Sequence, residues 1–175
     1  MSLVNKKAPD FKTVAVVGEG DFKDIALADY KGKYVVLFFY PADFTFICPT
    51  EIQEFSRRHE EFRAVNCVIL GASTDSKHSH KAWIKNGLGA LNHPLLADFN
   101  KEIARDYEAL EPDGVAQRAT FIIDPNGIIQ HASYNADLLG RSVSETLRLV
   151  QALQTGERCP VEWKPGAKTL GKPGK

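Results

Sequence analysis

The order of strand and helix signals along this chain predicts an α/β fold. Three observations carry it. Residues 34–40, Tyr-Val-Val-Leu-Phe-Phe-Tyr, are an unbroken apolar run rich in aromatic and β-branched side chains. The stretch after Pro49 changes to helical spacing, with Ile52, Phe55 and Phe62 on one stripe. A second apolar run then follows at 67–72. Continuous apolar runs of this length read as strands buried on both faces, and a helix between two of them is the crossover that parallel strands need.

The remaining elements follow in order. Residues 11–17 and 22–27, separated by Gly18-Glu19-Gly20-Asp21, read as a hairpin. Strand 34–40 comes next, then a helix from 49 to about 65 and strand 67–72. The cluster Ser73-Thr74-Asp75-Ser76 offers N-caps for a helix running to about residue 86. Asn86-Gly87-Leu88-Gly89 then reads as glycine termination of that helix rather than as a phosphate-binding loop. A short helix at 100–107 precedes strand 119–123. Asp124-Pro125-Asn126-Gly127 has proline and glycine where a turn wants them, so 128–133 returns as a hairpin partner. A helix at 143–153 closes the regular part. Strand–helix–strand early and hairpin–helix late is the order of a thioredoxin-like fold, here with an N-terminal hairpin extension. The last 20 residues carry Pro160, Pro165 and Pro173 with four glycines and read as an irregular C-terminal tail. The expected organisation is one domain over 1–155 and a tail over 156–175.

Composition narrows the function. Lys and Arg number 22, as do Asp and Glu, so no nucleic-acid footprint or polybasic membrane patch is expected. No apolar run is long enough to span a bilayer, and the N-terminus lacks the apolar core of a secretion signal. Three cysteines are an odd count, which argues against a static disulfide framework and for a reducing compartment, most simply the cytoplasm.

Cys48 is the candidate reactive group. It follows a loop after strand 34–40 and begins Cys48-Pro49-Thr50-Glu51, which has the form of a helix start with proline in the first helical position. Free backbone N–H groups and the positive end of the helix dipole favour an anion there, and the thiolate is the reactive form of cysteine. Free cysteine is usually buried core, but the position after a strand, the proline and the polar flank Thr45, Thr50 and Glu51 outweigh that reading. Cys67, inside the apolar run 67–72, has no such company and is expected to be inert core. His78 and His80 are two apart and do not face one another on a helix, so a metal pair is not expected; His80 and Trp83 share a face, where packing is the expected role.

The segment Pro41-Ala42-Asp43-Phe44-Thr45-Phe46-Ile47-Cys48-Pro49-Thr50-Glu51 resembles the active-site motif of the typical two-cysteine peroxiredoxins, in the branch that includes the bacterial alkyl hydroperoxide reductase peroxidase subunit. The resemblance continues through Asp75-Ser76-Lys77-His78-Ser79-His80-Lys81-Ala82-Trp83, residues 94–98, residues 118–125, Gly140-Arg141 and residues 159–166, essentially the whole chain.

That resemblance implies a thiol-specific peroxidase. Cys48 would be peroxidatic: its thiolate attacks the terminal oxygen of hydrogen peroxide or an organic hydroperoxide, leaving a sulfenic acid that condenses with a second thiol. Cys159, in the tail, would be resolving. The residues leave open whether the disulfide lies within or between chains; the resemblance implies the partner subunit of a homodimer, with decamers of five dimers. Arg118, just before strand 119–123 at the edge of the sheet that holds strand 34–40, is the leading candidate for the cation, with a surface arginine an even alternative on position alone; the resemblance makes it the cation that binds thiolate and peroxide. Thr45 would donate to or accept from the peroxide oxygens, and Pro41 would stiffen and shield the loop. Glu51 would cap the helix or orient Arg118, and Arg141 would be a second, outer cation unless it is simply a surface side chain. Sulfur does the redox work, so no cofactor or metal is required. The reductant implied is a dithiol protein, thioredoxin-like or a flavoprotein disulfide reductase. A disulfide oxidoreductase of similar fold would want a cysteine where Glu51 stands; a holdase or redox-sensing role in rings is the other alternative. Easily over-oxidised members carry a Gly-Gly-Leu-Gly loop and a C-terminal helix ending in Tyr-Phe. Here the loop is partial and the helix absent, so the tail is expected to release readily and Cys48 to resist sulfinic acid formation.

Overall fold

The computed structural model describes residues 2–174. The chain divides into two compact units, Met1–Arg141 and Ser142–Lys175.

The first unit is built on a seven-stranded sheet. β1 (Lys12–Gly18) and β2 (Asp21–Ala26) form the N-terminal hairpin, β3 (Tyr34–Phe39) and β4 (Cys67–Ser73) are the apolar runs, β5 is Leu91–Ala97, and β6 (Arg118–Ile123) and β7 (Ile129–Asn135) are the late hairpin. The strand order is β2-β1-β5-β4-β3-β6-β7. β3, β4 and β5 run parallel, and the outer pairings are antiparallel. The hairpin therefore continues the main sheet instead of standing apart from it.

Period-two alternation in β3 sorts the core onto two faces. Val35, Leu37 and Phe39 join Tyr107, Ala119, Phe121 and the apolar residues Ile103 and Ala104 of α4 (Glu102–Asp106). On the opposite face Phe38 stacks on Phe55 of α1 (Cys48–Arg57), with ring centroids 4.5 Å apart, and Phe55 packs on Phe62 of α2 (His59–Ala64). Gly71 in β4 makes room for this layer: a Cβ there would lie 2.8 Å from both Phe38 and Leu95 side-chain carbons.

Three expectations are corrected. The helix at 49–65 is two helices, because Arg58 at φ −96°, ψ 10° breaks the ladder between α1 and α2. Pro49 occupies the second helical position, since α1 begins at Cys48 itself. β5 has no counterpart in the sequence reading. Pro94 lies inside it, and a proline argues against a central strand. Here the pairing with β1 slips between Val16↔Leu95 and Gly18↔Leu91, so the missing N–H falls in an irregular stretch. The helix after Ser76 is α3 (Lys77–Trp83), widening into a turn over Ile84–Leu88 that ends at Gly89 with φ 81°.

In the second unit, α5 (Val143–Gln154) is capped by Ser142, whose hydroxyl accepts from Glu145 N at 3.1 Å. The tail after it holds no helix or strand among the described residues. It is nonetheless folded on itself. Arg158 N donates to Gly171 O at 3.0 Å and Leu170 N to Arg158 O at 2.8 Å. Trp163, 5% exposed, donates its indole N–H to Ala167 O, and Arg148 donates to Trp163 O.

Candidate active site

β3 delivers the chain at Tyr40 into the loop 41–47, and α1 begins with Cys48, which is 1% exposed. As the first helical residue, Cys48 lies at the positive end of α1. β6 sits beside β3, and its first residue, Arg118, is itself 4% exposed. The sheet thus brings together two residues far apart in the chain: Arg118 Nη1 lies 3.6 Å from Cys48 Sγ.

Glu51, one turn into α1, does not cap the helix. Its carboxylate accepts from Arg118 Nη1 at 2.5 Å and from Arg141 Nε at 3.0 Å and N at 2.8 Å. Arg141 is no surface side chain. Its Nη1 donates to Ala119 O and Thr120 Oγ1, and its Nη2 to Phe39 O at 2.6 Å. The guanidinium also lies 5.1 Å from the Phe38 ring centre. Two buried arginines thus share one carboxylate, leaving a net positive charge beside Cys48. The electrostatics follow the packing. Burial works against the charge on Arg118, but the bonds and charges of Cys48 and Glu51 outweigh it and raise its pKa. Burial lowers the pKa of Arg141, aided by the charge of Arg118 and opposed by Glu51.

The two arginines differ in what they hold free. Arg141 has a partner for each of its three nitrogens. Arg118 Nη2 donates to Asp137 O at 3.2 Å, while Nε is the one buried side-chain nitrogen or oxygen among the described residues without a partner.

Thr45 is half-buried and donates its hydroxyl proton to Ala42 O at 2.8 Å, and Pro41, also half-buried, follows directly on Tyr40. Neither is hydrogen-bonded to Cys48. Cys67 is buried in β4, where burial pushes its thiol up to about 12 from the usual 9.0. Cys159 lies in the second unit, where its Sγ is 3.5 Å from Thr155 Oγ1 and 3.6 Å from Ala152 O.

The sequence reading missed a second polar cluster at the start of the loop. His80, assigned to packing, is fully buried but paired: its Nδ1 lies 2.8 Å from the Asp43 carboxylate, and Tyr40 Oη donates to the same carboxylate at 2.9 Å. The available signal was an aspartate within a loop otherwise rich in aromatic residues. His78 faces elsewhere, edge-on to Phe22, and no group of three or more potential metal ligands converges among the described residues.

The AhpC/TSA family model matches residues 4–132. Peroxiredoxin prdx-2 of Caenorhabditis elegans is 56% identical over 99% of this chain and 90% of its own length. The reduced 2-Cys peroxiredoxin of Plasmodium vivax superposes with a TM-score of 0.92 at 42% identity, covering 97% of this chain and 93% of that one. The AhpC of Enterococcus faecalis gives 0.87 at 36% identity, over 91% and 100% respectively. The family model, the relatives and the matching structures agree with a cysteine at a helix start beside a buried arginine: the chain is a member of the AhpC/TSA family, a typical two-cysteine peroxiredoxin and a thiol-specific peroxidase.

Proposed function

We propose that Cys48 is the peroxidatic residue of this peroxidase and that Arg118 is the group that binds both its thiolate and the peroxide. The observation that carries this reading is the 3.6 Å approach of Arg118 Nη1 to Cys48 Sγ together with the unused Nε–H of the same side chain. In the step proposed, the Cys48 sulfur attacks the terminal oxygen of ROOH and the O–O bond breaks. The sulfur becomes a sulfenic acid, and the alkoxide or hydroxide leaves as ROH after taking up a proton. Charge develops on the departing oxygen, and a fixed guanidinium meets it without reorganisation. Thr45 donates its one hydroxyl hydrogen bond to Ala42 O, so it meets the peroxide with an oxygen lone pair and accepts a hydrogen bond from the peroxide O–H. Glu51 and Arg141 hold Arg118 in place from behind, and Pro41 stiffens the loop.

The sulfenic acid then condenses with the Cys159 thiol, forming a disulfide and releasing water. We assign that thiol to the partner subunit of a homodimer, within decamers of five dimers. A dithiol protein, thioredoxin-like or a flavoprotein disulfide reductase, restores both thiols. We take residues 1–155 as the peroxidase body, 156–175 as the resolving tail and the cytoplasm as the location. Mass analysis after one equivalent of hydrogen peroxide tests the central assignment: a single oxygen on Cys48 in a Cys159→Ser variant is expected, and the same oxygen found on Cys67 instead would refute it.

A further inference from the structure

Asp43 ties the loop between β3 and α1 to the body through hydrogen bonds, next to Phe44, whose ring lies 5.7 Å from that of Trp83, and the hydrogen-bond geometry at Asp43 fixes the proton count. His80 Nε2 lies 3.1 Å from Leu96 O. A carbonyl only accepts, so Nε2 carries a hydrogen. His80 Nδ1 lies 2.8 and 3.0 Å from the two Asp43 carboxylate oxygens and 3.3 Å from Tyr40 Oη. The Tyr40 hydroxyl donates its one proton to Asp43 Oδ1, so it shows His80 a lone pair. With Asp43 as a carboxylate, each of these atoms facing the ring is an acceptor, so both ring nitrogens act as donors. Burial, then the charge of Asp43, raises the pKa of Tyr40 well above 10.0, which keeps the phenol proton in place. Asp75 completes the cluster: its carboxylate accepts from Asp43 N at 2.9 Å and from Ser73 Oγ at 2.7 Å.

The side chains of His80 and Asp43 are 0% and 1% exposed. A buried ion pair contributes little net stability, because desolvation offsets the attraction; what it fixes is geometry. Asp43 ties the loop to α3 through His80, to the end of β3 through Tyr40 and to the end of β4 through Ser73 and Asp75. Two residues on is Thr45, bonded back to Ala42 O within the tethered segment. On the other side of Cys48, His93 Nε2 donates to Ile52 O at 3.1 Å, and Asn92 bonds the backbone and hydroxyl of Ser56. Between these two posts the chain around Cys48 is held by its own first helical turn and by the arginine cluster.

We propose that the Asp43 carboxylate and the His80 imidazolium, closed by Tyr40, form a positioning element for the peroxide step, holding residues 41–45 so that Thr45 meets the substrate in register with Cys48. The inference rests on the reading of Cys48 as the peroxidatic thiol. It assigns the cluster to the first chemical step alone. Cys48 is 1% exposed as the first residue of α1, so a second thiol reaches it only once that turn opens, and a looser Asp43 post does not hinder that.

The test uses the full chain with Asp43→Asn, His80→Gln and the double variant. Cys48 oxidation and the disulfide formation that follows are resolved by stopped-flow tryptophan fluorescence and by mass analysis of quenched samples. Either single variant is expected to slow oxidation by about 10-fold or more, since misplacement by about 1 Å costs up to ~100-fold, with disulfide formation within about 2-fold. The double variant, free of an unpaired buried charge, recovers part of the loss. Tyr40→Phe, which spares the ion pair, gives a smaller loss in oxidation only. In the wild-type protein, ¹⁵N spectra should show both His80 nitrogens protonated, a readout that requires no variant to fold. Wild-type oxidation rates in folded single variants, equal slowing of both steps, or a singly protonated His80 each overturn the proposal. Undiminished peroxide turnover by Cys48→Ser overturns the underlying reading of Cys48 instead, so the two failures are distinct.

Discussion

Arg118→Ala removes the only guanidinium among the described residues that is hydrogen-bonded to Cys48 and leaves Glu51 paired with Arg141. The cluster then has no excess positive charge, and a thiolate at Cys48 stands uncompensated. Two unit charges 3.6 Å apart interact by about 4–5 kcal/mol at an effective dielectric near 20. Arg141 persists one shell further out, so part of that attraction survives. Independently, losing one donor to a developing oxyanion costs about 100- to 1,000-fold. The expected loss in the second-order rate of Cys48 oxidation is therefore on the order of 1,000-fold near neutral pH. Arg118→Lys keeps the charge but cannot reach sulfur, carboxylate and substrate together, and should fall between. Stopped-flow oxidation across pH 6–10 separates the two contributions. Raising the pH restores the thiolate but not the donor, so Arg118→Ala should recover only in part. Full recovery at high pH would refute the donor role, and a rate within a few fold of wild type at every pH would refute both.

Other outcomes follow from the same geometry. Cys48→Ser should abolish peroxide turnover while Cys67→Ser leaves it largely intact, as a coupled peroxide-consumption assay will read. Cys159→Ser should react once and fail to recycle, and oxidised wild-type protein should run as a covalent dimer on a non-reducing gel; a monomeric band with an internal Cys48–Cys159 bond would refute the intersubunit disulfide. Cys67 keeps its proton in the folded state up to about 12 but ionises near 9.0 when exposed, so the unfolded state sheds its proton first. Stability should fall between those values by up to about 4 kcal/mol, and denaturant titrations of wild type against Cys67→Ala should show the difference flattening. Gly71→Ala forces a methyl against Phe38 and Leu95 and should lower the urea midpoint by the equivalent of about 1–3 kcal/mol.

What the sequence made legible was whatever rests on local pattern. The buried strand β3 and the paired hairpins are written in an unbroken apolar run and in turn chemistry, and the strand-to-helix junction at Cys48 is written in its proline. What escaped depends on partners distant in the chain. β5 hides because its pairing with β1 slips near Pro94. The break at Arg58 leaves the stripe Phe55 to Phe62 in phase, so spacing could not reveal it. Arg141 reads as a surface residue until Glu51, 90 positions earlier, is brought against it. Asp43 and His80 are ordinary loop and helix residues until three strand ends bring them face to face.

The closure of the tail sets a clock. Composition suggested a segment with nothing to hold it, yet the backbone bonds between Arg158 and residues 170 and 171 tie its two ends together, with Trp163 buried inside. Cys159 is next to that knot, and freeing it means breaking bonds of about 1 kcal/mol each and exposing an indole. If Cys159 resolves Cys48 as proposed, the lifetime of a sulfenic acid on Cys48 is governed by how fast the knot loosens. On that reading a second peroxide molecule can arrive within that lifetime, so the rate of knot opening set against peroxide concentration decides at what oxidant level Cys48 is lost to sulfinic acid. Loosening the knot by Trp163→Ala should raise that level, and tightening it with a proline-free tail should lower it.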